Sequence, residues 1–343
     1  MSKKNEKKPK LSAFPERKGI SDMKSKLLRI TAFLTCLLFF LCGCTPSEQE
    51  DTTVVLNMNT EYPTSEALPT GNGEKTKVVL LIGQSNATGC SITEYLKEGV
   101  SEEEYSLYEN GFPSVLINYC LDDHNASSGG DFVPVDLTCG AGNGFFGPEV
   151  GMAEVLSEAY PEETVIILKY TMSGYSLHYH WLSAGERGSI YQAFLQFVET
   201  YMAVLTEKNY DPEIGAICWM QGESDTTDFK ASRYYDNQTA FVSYLREDLA
   251  KYAEDEIYFI DAGISNSPYC EPAYPEINEA KKKFSEQSPH NLYFSTIDMG
   301  FTVSGEPVGD PDWGHYDALS ELALGRMFGE LVLQSYALRN KES

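Results

Sequence analysis

Lys77-Val78-Val79-Leu80-Leu81-Ile82-Gly83-Gln84-Ser85-Asn86 is the stretch from which the fold of this chain can be read. A short, unbroken apolar run rich in β-branched residues and closed by Gly is the pattern of a strand covered on both faces, as in a parallel sheet layered with helices. The residues after it are polar, and a Ser just past a strand end lifts its hydroxyl above the sheet while nearby backbone N–H groups point into the same space. A Ser hydroxyl is a weak nucleophile at neutral pH, so chemistry there needs an imidazole to take its proton and a carboxylate to orient that imidazole. Asp312-Trp313-Gly314-His315 supplies both, at an i, i+3 spacing that one turn can carry to the same side. Taken singly, Ser85 or Asn86 reads better as a helix N-cap, and Asp312 with His315 as a surface or capping pair; the segments carry the chemistry only together.

Similar apolar runs recur at Val78 to Ile82, Thr164 to Lys169, Ile214 to Trp219, Glu256 to Ile260 and Leu292 to Ile297. Between them lie longer amphipathic stretches at Pro148 to Tyr160, Ser189 to Lys208, Ser232 to Ala253, Pro275 to Gln287 and His315 to Leu338. Strands alternating with helices predict an α/β domain with a mostly parallel sheet, whose functional residues gather at the carboxyl ends of the strands. Gly83 to Asn86 follows the first strand, Ser173-Gly174-Tyr175 the second, Gln221-Gly222-Glu223 the third, and Asp312 to His315 comes after the fifth and opens the last helix. All four converge on one edge of the sheet. Ser91 to Ala141, rich in Tyr, Asp, Asn and Gly with weak periodicity, reads as a lid or substrate-binding insertion, or as a surface excursion.

Composition narrows the partners. The net charge is −25, and residues 1–43 hold ten Lys or Arg against three acids, which leaves the remainder near −32. Such a surface repels nucleic acid and anionic lipid and predicts no nucleic-acid partner. The chain has five His; His178 and His180 alternate with Leu177 and Tyr179 but lack a third ligand at recognisable spacing, and no CxxC pair occurs, so no metal site is predicted. Cys90, Cys120, Cys139, Cys218 and Cys270 allow at most two intrachain bridges, and Cys218 lies inside an apolar run as a small buried hydrophobe.

The N-terminal region is basic and then apolar from Leu27 to Gly43, too short and too early to be read as fold; it has the form of an export signal, with Met23 as a second candidate start. Leu41-Cys42-Gly43-Cys44 resembles the bacterial lipobox, which implies a signal peptide over 1–43 and a lipidated Cys44 at the mature N-terminus. The chain would then be extracytoplasmic and bound to a bacterial membrane by its lipid anchor only, at the cell surface or in the periplasm. Residues 44–76 read as a flexible tether. The roughly 265 residues beyond suffice for one α/β domain with a sizeable core.

Four segments together resemble a known family: Gly83-Gln84-Ser85-Asn86, Phe146-Gly147-Pro148-Glu149, Gln221-Gly222-Glu223 and the closing Asp312 and His315. They are similar to the SGNH hydrolase superfamily and, within it, to the sialate O-acetylesterase-like and family 6 carbohydrate esterase group, over roughly Lys77 to Leu338. The resemblance implies a three-layer α/β/α sandwich with a flavodoxin-like sheet, no cofactor, and an acetylated carbohydrate, sialic acid or xylan-like, as substrate. It implies Ser85 as nucleophile, His315 as general base and then acid, and Asp312 as the residue orienting it. The oxyanion hole would comprise the Ser85 and Gly174 N–H groups and the Gln221 side chain. Gln84, Asn86 and Glu223 would support the site or contact substrate, and Trp181 would line the sugar site or serve as a core aromatic. Relatives often carry Gly-Gly-Thr where this chain has Ser173-Gly174-Tyr175, which keeps the Gly and changes its surroundings. Two other readings stand beside this one: an SGNH lipase or thioesterase acting on other acyl esters, and a tethered carbohydrate-binding protein without catalysis. The sugar and the oligomeric state stay open at this level.

Overall fold

A computed structural model describes residues 68–122 and 125–342. The segment read as an export signal, Cys44 and most of the residues read as a tether lie outside the described residues. Where the description begins, the chain is already packed: Leu68 is buried, and Gly71 donates to the Lys208 carbonyl at 2.8 Å, so the tether read as far as Thr76 gives way to the domain earlier.

The strands of the main sheet are β1 (Lys75–Gly83), β2 (Phe112–Leu121), β3 (Ala126–Ser127), β4 (Val133–Val135), β5 (Val165–Thr171), β6 (Asp211–Met220), β7 (Tyr258–Ala262) and β8 (Asn291–Phe294). They form one sheet in the order β8-β7-β6-β1-β5-β2-β3, with β4 also paired to β2. Every pairing from β8 across to β2 is parallel, and only the short β3 and β4 run antiparallel at the edge. The five strands legible in the sequence are all present, and their order, β5-β1-β6-β7-β8, is the flavodoxin-like 2-1-3-4-5.

The sixth parallel strand corrects the reading of Ser91 to Ala141. Instead of a lid, that stretch supplies β2, which pairs with β5 over Val115 to Leu121, together with α2 (Thr93–Gly99) and α3 (Glu102–Asn110). The strand signal is diluted by Pro113 and by Asn118, a buried amide that donates to the Gly130 carbonyl at 2.9 Å. The helix signal was there: Ser101 and Glu104 close a reciprocal capping box at the start of α3.

The remaining helices are α1 (Ser85–Thr88), α4 (Glu149–Ala159), α5 (Ser189–Glu207), α6 (Lys230–Leu249), α7 (Tyr274–Ser285) and α8 (Ala318–Glu342). Successive strand residues point to opposite faces, and β6 shows what covers each. Trp219 packs on Phe241 of α6 with ring centroids 4.8 Å apart, while its neighbour Cys218 faces the side occupied by Tyr336 of α8. Helices therefore layer both faces, and the central strand β1 has Val78 to Ile82 fully buried. Burial of such side chains is worth roughly 1.5–3 kcal/mol each. On the α8 side the helix lies against α4 almost backbone to backbone: a side chain at Gly325 would come within 2.0 Å of the Pro148 carbonyl oxygen, and one at Gly151 within 2.2 Å of that of Leu322.

Candidate active site

The turn out of β1 begins at Gly83, whose φ of +150° and whose Cα, set so that a Cβ would fall 2.0 Å from the Met220 carbonyl oxygen, admit no other residue without displacement. The backbone there is tied to both neighbouring strands, with Gln84 N–H donating to Met220 O at 3.0 Å and Met172 N–H donating to Gly83 O at 3.0 Å. Ser85 then opens the single turn α1, at the carboxyl edge of the sheet and beside the topological switch between β1 and β6.

The two residues flanking Ser85 are both structural clamps. Gln84 is buried, and its Oε1 accepts the N–H groups of Gly222 at 3.4 Å and Ser224 at 3.3 Å, which joins the Ser85 turn to the end of β6. Asn86, also buried, donates from Nδ2 to Glu223 Oε1 at 2.7 Å and to the Gly314 carbonyl at 3.3 Å, and accepts the Tyr316 N–H on Oδ1 at 3.2 Å. One amide thus grips the residues on either side of His315.

His315 lies in a turn just before α8, which starts at Ala318 and not at His315 itself. Its Nδ1 is 2.7 Å from Asp312 Oδ2, and the other carboxylate oxygen accepts the Gly314 N–H at 3.0 Å. Burial alone would raise the Asp312 pKa, but the bond to His315 overrides it and holds this carboxyl below its usual range. For His315, burial pushes the imidazole down, while adjacent Cys90 and the Asp312 carboxylate prevail and hold it well above its usual value.

Gly174 follows β5 with φ +78°, and no atom lies within 4 Å of where its Cβ would be, so its backbone borders open space. Beneath it, Asp225 is buried and accepts the N–H groups of Leu177 at 2.7 Å and His178 at 3.1 Å. It also receives Gln221 Nε2 at 2.6 Å.

That last bond corrects one role predicted from the sequence. Gln221 is fully buried; its Nε2 donates to Asp225 and to the Tyr175 carbonyl, and its Oε1 accepts from the Tyr234 hydroxyl at 3.0 Å. Both amide hydrogens are engaged inside the protein, so Gln221 braces the loop that carries Gly174 and has none left for an oxyanion. For Trp181 the structure decides between the two readings: it is fully buried among Tyr170, Phe194, Trp219 and Phe241, a core aromatic. The exposed aromatics flanking the site are Tyr269 and Trp313, with the Tyr269 ring 3.7 Å from where a Cβ of Gly314 would stand. Glu223 is half-buried, with Oε1 accepting from Asn86 and Oε2 enclosed without a partner, and desolvation of the carboxylate lifts it above the usual range.

Glu149 of the Phe146-Gly147-Pro148-Glu149 segment acts from below. It is buried with Lys169 of β5, whose Nζ lies 2.6 Å from Glu149 Oε2 and donates to the carbonyls of Thr88 at 2.9 Å and Cys139 at 3.0 Å. Thr88 ends α1, so this ammonium satisfies a carbonyl at the carboxyl end of the helix that begins with Ser85. Residues that the sequence did not single out for the site are Cys90, Asp122, Lys169 and Asp225. Asp225 adjoins a quoted segment, but nothing in spacing distinguishes its inward carboxylate from an exposed one.

Among the described residues, no group of three or more His, Cys, Asp or Glu is arranged to hold a metal ion, the five cysteines form no disulfide, and no helix is long and apolar enough to cross a membrane. His178 and His180 do not converge: His178 Nδ1 meets Asn237 Nδ2 at 2.9 Å, and His180 Nδ1 accepts the Ser176 N–H at 3.0 Å.

The family model described as "Carbohydrate esterase, sialic acid-specific acetylesterase" matches residues 75–334. Among solved structures, a protein from Arabidopsis thaliana is similar at 17% identity, with 76% of this chain and 98% of that one covered and a TM-score of 0.53. NanS is similar at 16% identity, with 79% and 99% covered and a TM-score of 0.56. At these identities the likeness concerns the fold. No curated protein matches the sequence.

Proposed function

The chain belongs to the sialic acid-specific acetylesterase family of carbohydrate esterases, and on that premise we propose that it hydrolyses O-acetyl esters on glycans through an acetyl-serine intermediate at Ser85. The observation that carries this reading is the pair of bonds from Asn86 to Gly314 and Tyr316, which ties the residue after Ser85 to both neighbours of His315, together with the 2.7 Å contact of His315 with Asp312.

In the proposed first stage Ser85 Oγ attacks the acetyl carbonyl while His315 takes its proton through Nε2, since Nδ1 is engaged by Asp312. The carboxylate stabilises the imidazolium, and the N–H groups of Ser85 and Gly174 receive the developing oxyanion. Collapse expels the sugar alcohol, which takes the proton back from His315. Water then repeats the sequence on acetyl-Ser85 and acetate leaves.

The lipobox-like segment supports a second part of the proposal: lipidation at Cys44 holds the enzyme on a bacterial membrane outside the cytoplasm, where acetylated glycans are within reach. The catalytic part is tested by acetate release from a panel of acetylated glycans by the wild type and Ser85→Ala, with octanoyl esters for comparison. Activity retained in Ser85→Ala overturns the mechanism, and preference for octanoyl esters overturns the substrate class. Metabolic labelling with palmitate, lost in Cys44→Ala, tests the anchor.

A further inference from the structure

We propose that Asp122 is a positioning residue that aims the Gly174 N–H at the oxyanion; the inference rests on the acetylesterase reading above. Asp122 stands just past the end of β2, the strand supplied by the Ser91 to Ala141 stretch, and its φ of +49° is in the left-handed region. A residue with a Cβ seldom adopts that region, and Asp does so where its short side chain is held by local hydrogen bonds. The Asp122 N–H donates to the Thr171 carbonyl at 3.0 Å, and its carboxylate takes both hydrogen-bonding groups of Ser173, the N–H on Oδ1 at 2.6 Å and the hydroxyl on Oδ2 at 3.0 Å.

Ser173 is thereby fixed at its backbone and its side chain, immediately before the peptide whose N–H belongs to Gly174. Its hydroxyl also lies 3.1 Å from Thr88 Oγ1, which donates to Thr171 Oγ1 at 2.7 Å, so the same knot reaches the end of α1. Gly174 has no side chain and borders open space, so its direction is set through Ser173 on one side and the Asp225-capped turn on the other. A donor already aimed costs no reorganisation when charge develops, which is the source of its catalytic value. An N–H that wanders loses that value without altering how the ground-state ester binds.

The experiment compares full-length wild type with Asp122→Asn, Asp122→Ala, Ser173→Ala and Ser85→Ala. It measures kcat and KM on p-nitrophenyl acetate and affinity for a small alkylboronic acid, which forms a tetrahedral adduct at a serine. The expected result for Asp122→Ala is a fall in kcat of about 30- to 100-fold, somewhat below full loss of an oxyanion donor, with KM within about threefold of wild type. Boronate affinity falls in step with kcat. Asp122→Asn, which keeps an acceptor for the Ser173 N–H, recovers part of the loss, and Ser173→Ala falls between it and wild type. Should Asp122→Ala not fold, Asp122→Asn and Ser173→Ala carry the same comparison. Wild-type kcat in the folded variants, or a KM change with boronate affinity intact, overturns the inference while leaving the esterase reading standing. Wild-type activity in Ser85→Ala instead sinks the esterase mechanism itself.

Discussion

Asn86 Oδ1 accepts the backbone N–H of Tyr316 at 3.2 Å, so the residue after the proposed nucleophile holds the residue after the proposed base, across a sequence separation of 230. The same side chain reaches Gly314 and Glu223. The register proposed between Ser85 and His315 therefore passes through one buried amide.

Replacing it should show this. Asn86→Ala leaves the Tyr316 N–H and a Glu223 oxygen without their partner, each such loss costing about 1–3 kcal/mol when buried. The expected outcome is a variant destabilised by about 2–4 kcal/mol in urea titration. Because His315 is released from its register with Ser85, kcat should drop by about 100-fold or more even where the variant is folded. Unchanged turnover in folded Asn86→Ala would show that the clasp does not position the base.

A second expectation concerns pH. The base must be neutral to accept the Ser85 proton, and His315 is held well above its usual 6.5, with burial opposing the shift and Cys90 and Asp312 prevailing. Protonated His315 is inactive, so kcat/KM rises with pH along a limb whose midpoint lies above 6.5. Asp312→Asn removes the carboxylate that favours the charged imidazole, so the limb moves to lower pH while kcat falls by about 100-fold or more. A limb unmoved in Asp312→Asn would assign it to another group.

Gln221 and Trp181 give a contrasting pair. Gln221→Ala takes a donor from the buried Asp225 carboxylate and from the Tyr175 carbonyl, and a loss of about 2–4 kcal/mol is expected, with activity falling alongside. Trp181→Ala empties a site among four aromatic rings and should cost about 3–5 kcal/mol with little change in KM below the melting transition. A KM rise for acetylated sugar in folded Trp181→Phe would restore this residue to the substrate site.

The buried ion pair under α1 yields the last prediction. Lys169→Met strands Glu149 in a site where neither partner has exposed surface. Breaking such a pair from one side costs about 3–5 kcal/mol. The double variant Lys169→Met, Glu149→Gln should recover part of that loss, read from thermal unfolding of all three proteins. Equal stability of the single and double variants would mean that the charge itself is not what the site stabilises.

Much of the fold was legible because its strands are buried on both faces. Val78 to Ile82 and Ile214 to Trp219 have no polar alternation to confuse them, and the crossovers after β5, β6 and β7 are made by the long helices α5, α6 and α7. β2 escaped because one of its inward positions is Asn118, whose Nδ2 donates to a carbonyl twelve residues away, and local pattern cannot anticipate that bond. The same limit explains the site. Ser85, Asp312 and His315 could be named from chemistry and spacing, since a hydroxyl at a strand end and an Asp with a His three residues on are local facts.

What the residues do to one another was decided only by tertiary structure. The sequence by itself determined the alternation of strands and helices, hence the parallel sheet, and the carboxyl edge on which the polar segments meet, because burial and backbone geometry are set by near neighbours. Only the folded chain decided that Gln221 spends both amide hydrogens on Asp225 and Tyr175, that Trp181 is core, and that Asp122 grips Ser173. An amide, an indole or a carboxylate carries no local sign of its partner. Its hydrogen-bonding capacity is committed by whichever group the packing of distant segments places within about 3 Å.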